Sequence, residues 1–180
     1  MNAVAMLLLL IAVFARVPLE RSMMLHMLVQ LPMLFVAGGL MAREGAGTAR
    51  VHPVAAFVFA TGMWTTWMIP RALDAAVEQP GVDALKAVSL VLAGLLAGRA
   101  WRRSSAVVRT FVAGNSAWMM ATIGVLYLDT PARLCTSYGR GEQQQTGIAL
   151  VALTVLTVAL GWWHLTRAAP APTAPRETAR

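Results

Sequence analysis

Five stretches of this sequence, 22–41, 51–69, 84–100, 107–128 and 146–165, are long and apolar enough to cross a bilayer. A hydrocarbon core about 30 Å thick takes roughly 20 helical residues to span. Backbone polar groups find no partners in lipid, so each run must be helical, and the short connections between them predict a compact antiparallel bundle. The composition agrees: of 180 residues, 58% are hydrophobic and 13% charged. That is more apolar surface than a soluble domain of this size can hide. The expected fold is therefore all-α, a polytopic transmembrane helix bundle of five to six crossings, forming one domain over 1–167. The sixth candidate is the short run 1–15, read as an uncleaved anchor, with a cleaved signal as the alternative because Val13 and Ala15 precede Arg16. The segment 168–180, with Pro170, Pro172 and Pro175, reads as a disordered cytoplasmic tail.

The net charge of +7 comes almost wholly from arginine in connecting segments, where it sets orientation and meets anionic headgroups; nucleic acid is not implied. If all six segments span, nine basic residues lie on one side (Arg43, Arg50, Arg99, Arg102, Arg103, Arg109, Arg167, Arg176, Arg180) and six on the other (Arg16, Arg21, Arg71, Lys86, Arg133, Arg140). The more basic side is expected to be cytoplasmic, in a bacterial inner membrane, with the C-terminus inside and the loop 129–145 outside.

In a helix, positions i, i+3, i+4 and i+7 share a face, so Met23, His26, Met27 and Gln30 line one stripe near the outer end of their crossing. Thioether and imidazole donors suit Cu(I). Met63, Trp67, Met68 and Tyr127 reach the same level, and Cys135 and Glu142 lie in the outer loop above them. The candidate metal set is His26, Met23, Met27, Met68 and Cys135, with copper, as Cu(I), the candidate cofactor. The competing reading makes the methionines core filler and His26 a hydrogen-bond partner of a neighbouring helix. His52 and His164 share a depth at the other end and would suit a haem clamp, a weaker reading than interfacial hydrogen bonding. Asn115 and Ser116 are expected to face the bundle and tie helices together, and Gly94 and Gly98 to admit a close helix. Asp74, Glu78 and Asp83 read as solvated loop polarity. No nucleophile–base pair, phosphate-cradling loop or paired intramembrane carboxylates are present, so no enzyme is predicted.

Three pieces of the sequence resemble the CtaG family of bacterial membrane proteins, which assist cytochrome c oxidase assembly and are associated with copper delivery. They are His26-Met27-Leu28-Val29-Gln30-Leu31-Pro32-Met33-Leu34; His52-Pro53-Val54-Ala55-Ala56-Phe57 followed by Trp67-Met68-Ile69-Pro70-Arg71-Ala72-Leu73-Asp74; and Leu126-Tyr127 with Glu142-Gln143-Gln144-Gln145-Thr146-Gly147. The resemblance implies a non-enzymatic protein that holds Cu(I) on the outer face and passes it to a larger membrane complex, a respiratory oxidase or another copper enzyme. Most family histidines are missing: Ser22 stands where one is expected, and His26 alone carries over. The alternative is a small structural subunit that docks on a membrane complex and binds no ligand.

Overall fold

The computed structural model describes residues 3–42 and 52–168. Among these every regular element is helical, as the apolar runs require. We label them α1 (Ala3–Phe14), α2 (Arg16–Glu20), α3 (Met23–Met41), α4 (Pro53–Met68), α5 (Pro70–Glu78), α6 (Pro80–Arg103), α7 (Ala106–Asp129) and α8 (Arg140–Ala168). Four of them, α3, α6, α7 and most of α8, are long and apolar enough to cross a membrane, which makes this a multi-pass membrane protein. Helix α4, with 16 residues, is about 24 Å long at 1.5 Å per residue. The tail beyond Ala168 lies outside the described residues.

Proline punctuates the chain. Helices α4, α5 and α6 open on Pro53, Pro70 and Pro80, where the missing N–H has no intrahelical partner to lose. The preceding His52, Ile69 and Gln79 are extended, as the proline ring demands. Pro32 acts differently, because it falls inside α3. Its ring disfavours the ordinary turn before it, and there the helix widens into a π turn over His26–Gln30, with Leu31 N–H donating to His26 O.

Helix α6 is the centre of the bundle, flanked by α3 and α4, while α1 lies along α3. The α3–α6 contact is backbone to backbone. A Cβ at Gly38 would collide with Val91 O and one at Gly94 with Phe35 O, while one at Gly98 would lie 2.8 Å from Gly39 O. The small-residue pair in α6 thus serves packing within the chain. Helices α7 and α8 form a hairpin closed by Gly124 and Gly147, and α7 touches the rest of the bundle only thinly. This thin contact corrects one expectation. Asn115 and Ser116 do not tie helices together: both are exposed, and the buried residues of α7 are Ala117, Gly124 and Tyr127. Ser116 satisfies itself on Val112 O at 2.9 Å.

Candidate functional site

At the end of the bundle where α5 lies, five polar side chains from three helices, α2, α3 and α6, converge beneath the surface. Lys86 stands about 9 Å along α6 from its first residue and is fully buried, as are His26 and Gln30 of the π turn. Its Nζ lies 2.8 Å from Asp83 Oδ1, 2.9 Å from His26 Nε2, 3.1 Å from Glu20 Oε1 and 3.2 Å from Gln30 Oε1. Arg16 joins the same group, with Nη1 2.9 Å from Asp83 Oδ2. Two cations thus face two carboxylates, a balance that a low-dielectric interior requires of buried charge.

An ammonium group only donates, so the hydrogen-bond directions follow from Lys86. It donates to His26 Nε2, which makes His26 the neutral tautomer protonated on Nδ1. Nδ1–H donates to the Tyr138 hydroxyl at 2.8 Å, and that hydroxyl donates to Glu20 O at 2.9 Å. Burial, with Glu20 nearby, pushes the Tyr138 phenol above its ordinary range, so it stays a donor. The Gln30 amide spends both protons, on Ala12 O at 3.2 Å and Glu20 Oε1 at 3.3 Å. Every site on His26 and Gln30 that points into the network is used.

A second group folds the loop between α7 and α8 over this end. Asp74 accepts from Thr136 N at 2.7 Å, Thr136 Oγ1 at 3.0 Å and Ser137 N at 3.0 Å. Gln143 accepts from Leu134 N at 3.0 Å and donates to Tyr127 O at 3.2 Å. These bonds carry Tyr138 down to His26. Asp74 and Asp83 are therefore not solvated loop polarity: one clamps the loop, and the other pairs with Lys86 and Arg16.

The sequence-selected residues come together in part. Met23, Met27, Met68 and Cys135 are all buried in one apolar cluster, with the Tyr127 hydroxyl 3.6 Å from Met27 Sδ and 3.2 Å from Met68 O. Burial pushes the Cys135 thiol up to about 12, so it is protonated, and it points at Pro70 O at 3.9 Å. Met63 packs instead against a second cluster at the other end. Both ring nitrogens of His26 are engaged, by Lys86 and Tyr138, which leaves no free lone pair there in this arrangement. Among the described residues no three His, Cys, Asp or Glu side chains converge as a metal-binding set. For the haem reading, His52 is exposed before α4, and the His164 side chain lies outside the described residues.

Residues 1–161 match the family described as "Protein of unknown function (DUF1404)". The chain belongs to this family. No curated protein and no solved structure matches it. The DUF1404 assignment overturns the resemblance to CtaG proteins. The words that carried that resemblance are short and rich in Leu, Met, Trp and Pro, residues that the cores and ends of membrane helices favour for general reasons. In this DUF1404 protein the sequence reading missed Glu20, Asp83, Lys86 and Tyr138. The available signal was Lys86 itself, a lone lysine inside an apolar run at the depth of His26, which calls for a buried partner.

Proposed function

We propose that this protein is a non-enzymatic accessory subunit that docks on and stabilises a larger membrane complex, with its basic α6–α7 end in the cytoplasm. The observation that carries the reading is Asn115. The polar network at the α5 end pairs its own buried donors and acceptors, which suits a structural role. Asn115, by contrast, stands exposed on a membrane-capable helix, its amide donating only to Met119 Sδ at 3.7 Å. It shares its face with Phe111 and Trp118, 72% and 74% exposed, and with Gly114, beside which a Cβ would meet nothing. A polar amide in hydrocarbon is satisfied by a neighbouring helix, worth about 0.6–2 kcal/mol of association. Purified in mild detergent, the wild type should migrate as part of a larger assembly, and Asn115→Leu should release it. A wild type that runs as a bare monomer sinks the proposal.

A second reading, transient holding of Cu(I), draws support from Met23, Met27, Met68 and Cys135 sharing one buried cluster. Soft donors of this kind favour Cu(I) over Cu(II). Cu(I) titration of the purified chain should then show binding that weakens in a Met27→Leu, Cys135→Ala variant. Equal affinity in the variant would dispose of this reading.

A further inference from the structure

The bundle has a sharp charge asymmetry that the accessory role leaves unused. All six described carboxylates, Glu20, Asp74, Glu78, Asp83, Asp129 and Glu142, belong to the α5 end. The opposite end carries Arg99, Arg102, Arg103 and Arg109 where α6 turns into α7. Beside these arginines begins a crevice of about 290 Å³ between α4, α6 and α7. Its walls are apolar: Phe57, Trp64, Trp101, Val112 and Met120 line it, with Ala113 and Ser116 at its open side. From Val112 to Met120 it runs about 12 Å along α7. The crevice exists because α7 leans on α8 and barely touches α4.

Arg109 stands at the mouth of this crevice. Its guanidinium carbon lies 5.9 Å from the centre of the Trp101 ring, and Nη2 reaches Arg102 O at 3.5 Å. Its Nε is buried and has no hydrogen-bond partner. A buried guanidinium N–H without an acceptor is a donor waiting for an anion. We propose that the crevice binds an anionic phospholipid, one acyl chain lying between α4, α6 and α7 and the phosphate accepting from Arg109, with Arg102 beside it. The chemistry is that of basic pockets between membrane helices, which recognise anionic headgroups. On α7 the crevice is lined by Val112, Ala113, Ser116, Met119 and Met120 and not by Asn115 or Trp118, so the site does not depend on the docking reading.

Native mass spectrometry of the full chain in neutral detergent, supplied with phosphatidylglycerol or phosphatidylcholine, tests this. The wild type should retain phosphatidylglycerol in preference to phosphatidylcholine, and Arg109→Gln should cut that preference about fivefold, the worth of one basic residue near an anionic surface. Ala113→Phe, which fills the open side of the crevice, should lower retention of both lipids. Arg102→Gln serves as a second headgroup variant if Arg109→Gln fails to fold. Equal retention of the two lipids by the wild type overturns the proposal, as does an unchanged preference in a folded headgroup variant. Displacement of phosphatidylglycerol by inorganic phosphate alone would also overturn it, since the acyl chain would then contribute nothing.

Discussion

Lys86→Met is expected to destabilise the protein by about 3–5 kcal/mol, the range for removing one partner from a buried charge network. The substitution keeps the length and the apolar stem of the side chain, so packing against α3 changes little. What it removes is the cation that four acceptors share. Asp83 keeps Arg16, but Glu20 is left with the Gln30 amide alone, and His26 Nε2 loses its donor. Each is a buried or half-buried acceptor left short, and each carries its own desolvation cost. Thermal unfolding in detergent, followed by circular dichroism, measures the effect. A double variant, Lys86→Met with Glu20→Gln, should recover part of the loss, because the uncompensated carboxylate goes with the lysine. If the single variant melts like the wild type, the network contributes nothing to the fold.

The sequence revealed the class of the fold and one face of the buried network, for reasons that differ residue by residue. Apolar length marks a membrane helix without reference to its neighbours, so the all-α bundle was legible. The inward face of Met23, His26, Met27 and Gln30 was legible too, since helical periodicity alone puts them together, and all four are buried. What they face was not. Helical spacing reports which side chains share a face and says nothing about which distant helix meets it, so Lys86, 60 residues from His26, passed as a topology signal. Tyr138 is 112 residues from His26 and sits in a loop whose path is set by Asp74. Asn115 failed in the opposite direction. The rule that polar groups in membrane helices face protein puts Asn115 at a helix interface, and among the described residues no helix covers its face.

Asp74 makes the strongest statement about how the loop is held, and its effect should be visible in the pH dependence of stability. Burial alone would raise its pKa above the ordinary 3.8, but the hydrogen bonds from the backbone and side chains of Thr136 and Ser137 outweigh burial and hold it below that value. A carboxyl whose pKa is depressed on folding stabilises the folded state fully above the ordinary carboxylate range, and that stability is lost as pH falls through the folded pKa. Asp74→Asn keeps an acceptor oxygen but loses the charge that both N–H groups see. At pH 7 it is expected to cost about 1.5–3 kcal/mol, the worth of hydrogen bonds to a charged group. The gap between wild type and variant should hold from pH 7 to about pH 5 and then close below the ordinary carboxylate range. Paired melting curves across that range measure it, and a gap that stays constant into acid would show that the charge is not what clamps the loop. The consequence reaches the buried network as well. Thr136 and Ser137 directly precede Tyr138, so loosening the clamp frees the hydroxyl that fixes His26 Nδ1, and Asp74→Asn combined with Tyr138→Phe should cost less than the sum of the two single variants.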